Sequence, residues 1–276
     1  LRSVGSAPLI GVGAGPVPQL GQRGLRPNVG HRGRDILSSY PGARFGNAET
    51  RGLDTEFAFD TYVPTDLDTT LAAEIRAGDL SLVILCGNAG DGKTAFLQRL
   101  VRTLGGEPPQ SSERVWLGRL VDRKAMINLD GAASWKGRSA DDLLDDLFGP
   151  FMDQPPKDGS IHLVAVNDGR LMEWIEQAEM RHGERPLTRA LTAALTQQTQ
   201  DVASYIRLVD LNNRSLVGGL DPERGSISTR FVDELIRLLI GGEQAGQIWA
   251  PCRTCSAQTR CSMKRSAEMM GASADP

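Results

Sequence analysis

Eight consecutive residues, Gly87-Asn88-Ala89-Gly90-Asp91-Gly92-Lys93-Thr94, have the types and spacing that phosphate chemistry requires. Glycines at the first, fourth and sixth positions let the backbone take conformations closed to other residues, so consecutive N–H groups can converge on an anion. Lys93 is spaced to neutralise β- and γ-phosphate oxygens, and the Thr94 hydroxyl to sit on Mg²⁺. Lysine is scarce here, five among 31 basic residues, which adds weight to one at this position. The eight residues from Gly87 to Thr94 are therefore candidate contacts for a nucleoside triphosphate, with ATP and Mg²⁺ as the expected ligands.

Such a loop works only between a strand and a helix. The apolar run Leu82-Val83-Ile84-Leu85-Cys86 precedes it, and Phe96, Leu97, Leu100, Val101 and Leu104 then fall on one helical face that Gly105 ends. The helix would point its positive end at the bound phosphate.

An acid for Mg²⁺ is expected at the C-terminal edge of a neighbouring strand, where ligands of parallel sheets bind. Ile161-His162-Leu163-Val164-Ala165-Val166 is the clearest second buried strand, and it delivers Asp168 as the favoured metal acid and catalytic residue. Asn212 follows the strand Tyr205–Asp210 and lies 44 residues after Asp168, a spacing typical of the polar sensor in AAA+-like ATPases. A competing assignment takes Asp130, after the strand Lys124–Leu129, as the acid and Asn167 as the sensor; Asp210 is a third candidate. No Glu adjoins Asp168, so hydrolysis is expected to be weak or gated. Arg214 and Arg230 are the candidates for an arginine finger.

Strands alternating with helices imply an α/β fold, a parallel sheet flanked by helices. Thr65-Asp66-Leu67-Asp68 and Ser139-Ala140-Asp141-Asp142 read as capping boxes opening two further helices. Tyr62, Val63 and Pro64 could wall the nucleotide base or pack in the core. Asp141, Asp142, Asp145 and Asp146 resemble a metal cluster on paper, but a helix N-terminus and solvated face account for them better. Phe231, Val232, Leu235, Ile236 and Leu239 form another amphipathic helix, capped by Ser228 or Thr229.

The chain has 276 residues, 40% of them hydrophobic, enough for one large domain with appendages. We expect a Gly/Pro/Arg-rich extension over 1–45, disordered or foreign to the native protein, a nucleotide-binding domain over 46–245 and a cysteine-bearing segment over 246–276. A net charge of −3 gives no global drive toward nucleic acid or acidic membranes. No run of about 18 apolar residues exists to span a membrane, and the N-terminus lacks the apolar core of a secretory signal. The chain begins with Leu1 and shows no closing element after Cys261, so a piece of something longer is expected.

Cys252, Cys255 and Cys261 form C-x₂-C-x₅-C. Two thiolates two residues apart can grip one metal, so this segment is a candidate Zn²⁺ site lacking a fourth ligand. Clustered cysteines also fit a reducing, cytoplasmic setting better than a disulfide framework. Arg253, Arg260, Lys264 and Arg265 make the segment basic, which raises contact with DNA against the simpler reading of a solvated surface. Cys86, inside a strand, reads as a small buried hydrophobe.

The eight-residue loop, Val166-Asn167-Asp168-Gly169-Arg170-Leu171, Val209-Asp210-Leu211-Asn212-Asn213-Arg214 and the terminal cysteines together resemble a bacterial family. It is that of the P-loop ATPases of DNA-phosphorothioation-dependent restriction systems, which act in defence against phage and foreign DNA. The resemblance covers residues 60 to 265. It implies an ATPase subunit that works with other subunits of a defence complex on DNA, mainly through those partners, and that can form homo-oligomers. It also implies Lys93, Thr94 and Asp168 as nucleotide and Mg²⁺ residues. The chain carries no recognisable nuclease motif.

Overall fold

Five aliphatic or thiol side chains in a row leave the strand Leu82–Cys86 (β1) no polar face, so its place is inside a sheet covered on both sides. In the computed structural model, which describes residues 52–54, 56–110, 112–196, 203–214, 219–221, 225–241 and 249–273, β1 is flanked by two parallel neighbours. The strand Ile161–Val166 (β4) pairs with one edge, Leu82 opposite His162 and Cys86 opposite Val166. The strand Ile206–Asp210 (β5) pairs with the other, Leu82 opposite Ile206 and Cys86 opposite Asp210. Beyond β4 lies the parallel strand Arg123–Asn128 (β3), and beyond it Val115–Leu120 (β2). The order is β2-β3-β4-β1-β5.

The architecture is α/β with a mostly parallel five-stranded sheet, and β2 is the exception. It runs antiparallel to β3 through a two-residue turn, Val121 and Asp122, both at positive φ (47° and 63°). Such turns match the right-handed twist of paired strands. The sequence reading expected a purely parallel sheet and missed this hairpin.

Helices cover both faces. Asp66–Ala77 (α2) and Lys93–Thr103 (α3) lie over one, where Leu71, Ile75, Leu97 and Leu100 meet Val83, Leu85, Ile127 and Leu163. Ala140–Phe148 (α4), Asp168–His182 (α5) and Pro186–Leu195 (α6) lie over the other, where Leu144, Phe148, Trp174 and Leu187 meet Leu82, Ile84 and Val164. A short helix, Glu56–Asp60 (α1), precedes α2. Both expected capping boxes form. Asp68 Oδ2 accepts from the Thr65 N–H at 2.7 Å, and Asp142 Oδ2 from the Ser139 N–H at 3.0 Å. The remaining acids of α4 are in ion pairs: Asp141 with Arg170, Asp145 with Arg181, Asp146 with Arg138. His162 is buried; its Nδ1 lies 2.6 Å from the Leu147 carbonyl and its ring stands edge-on to Phe151.

After β5 come a small hairpin of Gly219–Asp221 (β6) and Ser226–Ser228 (β7) and the helix Arg230–Ile236 (α7), with Thr229 at its N-cap. The cysteine segment makes two 3₁₀ turns, Ala250–Thr254 and Gln258–Arg260, then a helix Ser262–Ser273 (α8) that the sequence reading did not expect. The expectation for residues 1–45 lies outside the described residues. Among the described residues no helix is long and apolar enough to cross a membrane.

Candidate functional site

Between β1 and α3 the chain turns through Gly87, Gly90 and Gly92, at φ of +152°, +98° and +79°. Gly92 is the N-cap of α3 in the left-handed region, where a side chain would be strained. Residues 88–92 are exposed, while Gly87 is buried at the strand end. Gly87 has a φ that L side chains rarely adopt, and a β-carbon there would stand 2.7 Å from the Asp91 carboxylate and 3.2 Å from the Leu211 side chain.

The loop is hydrogen-bonded to itself. Lys93 Nζ donates to the carbonyls of Gly87 at 2.8 Å and Asn88 at 2.6 Å. The Asn88 N–H donates to Asp91 Oδ2, and the Asp91 N–H donates back to the Asn88 carbonyl at 3.3 Å. Asn88 also reaches across the sheet edge. Its Nδ2 donates to Asn212 Oδ1 at 2.6 Å, and Asn212 Nδ2 donates to Asp168 Oδ2 at 2.9 Å. The structure therefore joins Asn88, Asn212 and Asp168, three of the expected site residues, in one polar chain. Asp168 Oδ1 is enclosed. Burial, and next the Asp168 charge, push the adjacent Cys86 thiol well above its ordinary range, which keeps it protonated and inert.

Thr94 turns elsewhere. Its hydroxyl is 3.4 Å from the carbonyl of Leu129, just past the end of β3, and Asp130 is the next residue. Asp130 accepts from Arg114 and from the Ala132 N–H, and its own N–H donates to Asn128 Oδ1 at 3.0 Å. Asn167 Oδ1 caps α5 through the Arg170 N–H at 2.7 Å. Asp210 caps the turn after β5 through the Asn212 N–H at 2.9 Å. The five-strand order thus brings Asp130, Asp168 and Asp210 to one edge with the loop; Asp168 and Asp210 both accept from Asn212, while Asp130 accepts from Arg114 and Ala132.

Sequence reasoning missed Gln98, one turn beyond Thr94 and 2% exposed. Its Oε1 accepts from the Leu53 N–H at 2.6 Å, and its Nε2 donates to Asp54 Oδ1 at 2.8 Å and the Pro109 carbonyl at 2.7 Å. These bonds clamp residues 52–54 against α3, with Gly52 close to the Thr94 methyl. A glutamine on a helix otherwise read as amphipathic gives no sign of burial, so only its odd polarity beside Leu97 could have flagged it. Tyr62 and Val63 pack as core: the Tyr62 hydroxyl donates to Asp68 at 2.7 Å, Val63 is buried, and Arg99 lies over the Tyr62 ring. A groove between α2 and β5, lined by Leu67, Thr70, Glu74, Arg207 and Arg214, opens on the same flank as Asp210.

The loop offers features that suit a phosphate group with Mg²⁺: three glycines at positive φ, a lysine folded over the backbone, and a threonine hydroxyl 3.4 Å from the Leu129 carbonyl. Cys252, Cys255 and Cys261 are free and half-buried, and among the described residues no three His, Cys, Asp or Glu side chains are grouped so as to hold a metal. Lys264 pairs with Glu268 at 3.4 Å, and Arg230 with Asp66 at 3.7 Å on an exposed surface.

Compared with known protein families, with characterised proteins and with solved structures, the chain matches none.

Proposed function

We propose that this protein binds ATP through residues 87–94 and hydrolyses it slowly, as the nucleotide-dependent subunit of a larger assembly. The observation that carries the reading is the loop itself, three glycines at positive φ between a buried strand and a helix N-terminus, with Lys93 folded over the backbone. Lys93 would move from the Gly87 and Asn88 carbonyls onto phosphate oxygens. The Mg²⁺ would be held by Thr94 and an acid at the sheet edge. Asp168 is the acid favoured by sequence, but the Thr94 hydroxyl faces the end of β3, and that contact favours Asp130. Asp168 has one oxygen enclosed and the other on Asn212, which suits a residue that reports on the loop tip through Asn88. Mg²⁺ held there would supply positive charge to neutralise the phosphates.

Slow turnover follows from the strand ends. They present Asn167 and Asn212 amides, and among the described residues Asp130, Asp168 and Asp210 at those ends each accept a hydrogen bond from a neighbour, so orienting water would compete with contacts already made. The place in a DNA-restriction complex rests on the motif resemblance alone. The test is ATP binding and turnover by the purified chain, with and without duplex DNA, beside Lys93→Ala, Asp130→Ala and Asp168→Ala. Binding lost in Lys93→Ala, with Mg²⁺ dependence lost in Asp130→Ala, is the expected result. Absence of ATP binding by the unmodified chain would refute the proposal; Mg²⁺ dependence lost only in Asp168→Ala would return the metal to that residue. DNA-stimulated turnover would support the restriction setting.

A further inference from the structure

The loop's fifth residue carries a charge of the wrong sign for a phosphate site. Asp91 is exposed at the tip, yet its carboxylate folds back and accepts the Asn88 N–H. It lies over Gly87, so close that a β-carbon there would be 2.7 Å away. The return bond from the Asp91 N–H to the Asn88 carbonyl closes the ring. Lys93 meanwhile directs its donors to the Gly87 and Asn88 carbonyls.

We propose that Asp91 is an internal competitor for the nucleotide's phosphates, holding the loop closed on its own carboxylate and setting how tightly ATP is bound. The inference rests on the reading of residues 87–94 as a nucleotide site. An arriving triphosphate takes the Asn88 N–H from the carboxylate, then shares the cradle mouth with the displaced charge. Both effects weaken binding, and both scale with phosphate charge. At a solvent-exposed loop, removing one unit charge a few ångströms from a phosphate is expected to tighten binding by about tenfold. The consequence is a site that fills only at high nucleotide concentration and releases product readily.

The test compares the full 276-residue chain with Asp91→Asn, Asp91→Ala and Lys93→Ala, titrating a fluorescent ATP analogue with Mg²⁺, then ADP and adenosine as competitors. Asparagine keeps the shape and an acceptor for Asn88 without the charge; alanine removes both. Thermal melts of the four proteins check that each is folded, and the exposed position makes folding insensitive to either change. Expected are about tenfold tighter ATP binding in both Asp91 variants, a smaller gain for ADP and none for adenosine. Equal or weaker ATP binding by both variants, with Lys93-dependent binding intact in the unmodified chain, overturns the role of Asp91 alone. Unmodified chain that binds no ATP overturns the nucleotide reading, and this inference with it. A gain equal for ATP and adenosine also refutes competition with phosphate.

Discussion

Replacing Gln98 by methionine keeps the length and volume of the side chain but removes an amide that makes three hydrogen bonds in a site 2% exposed. Each bond contributes about 0.5–1.5 kcal/mol, and the buried partners left behind add desolvation cost. The bond to Asp54 is charge-assisted, but Asp54 is exposed, so it is counted at the ordinary value. Since methionine leaves no cavity, the total loss is about 2–3 kcal/mol. For a domain of this size that lowers the melting temperature by roughly 5–10 °C. Urea unfolding followed by circular dichroism measures the free energy directly, and Gln98→Glu provides the second arm. A carboxylate facing Asp54 and the Pro109 carbonyl replaces two attractions by repulsions, so glutamate should cost more than methionine. A methionine variant within about 0.5 kcal/mol of the unmodified chain, or a glutamate variant the milder of the two, would refute the clamp as a stabilising device.

Three other outcomes follow from the same physics. Burial lowers the pKa of His162 from its ordinary value of about 6.5, partly opposed by the Leu147 carbonyl. The unfolded chain therefore takes up this proton first as pH falls, so stability should drop below about pH 6.5 and level off once the folded form is protonated. His162→Gln should flatten that slope between pH 5 and 7 in urea midpoints. Arg123 donates to the Leu80 and Gly159 carbonyls, each at 2.7 Å, and to Ser81 Oγ at 2.9 Å. Lysine cannot reproduce that fork, so Arg123→Lys should cost about 1–2 kcal/mol, read by the same assay. Asn212→Ala cuts the bridge from Asn88 to Asp168, so amide exchange at residues 88–91 should accelerate about tenfold while that of β1 stays unchanged.

The central unit was legible because its signals are local. Five apolar residues, glycines at fixed spacing and an apolar helical stripe place β1, the loop and α3 without tertiary information. β4 and both capping boxes were legible for the same reason. β2 was not, because Gly118 and Arg119 break its alternation and its partner strand lies across a turn of ordinary-looking residues. Strand order is a tertiary property. Nothing near Ile161 says that β4 inserts between β1 and β3. α8 escaped notice because its apolar pattern is weak: Ala267 is buried, while Met263, Met269 and Met270 stay exposed. Gln98 and Asp91 have roles defined by partners 11 to 45 positions away or by a folded-back rotamer, neither of which composition encodes.

The placement of β1 between β4 and β5 has a consequence for how the protein is made. Both flanking strands are translated after β1, and the second is complete only at Asp210. A nascent chain that has passed Val166 can pair one edge of β1, but its other edge stays open until some 40 further residues have emerged. Asn212, which anchors the loop tip, comes later still. Because long-range parallel pairing is slow, and domains form as they leave the ribosome, the loop at residues 87–92 becomes fixed among the last parts of the sheet. If residues 87–94 bind nucleotide as proposed, capture on the ribosome would begin only once β5 has cleared the exit tunnel, and the onset of nucleotide retention by stalled chains of increasing length would time the closing of this sheet.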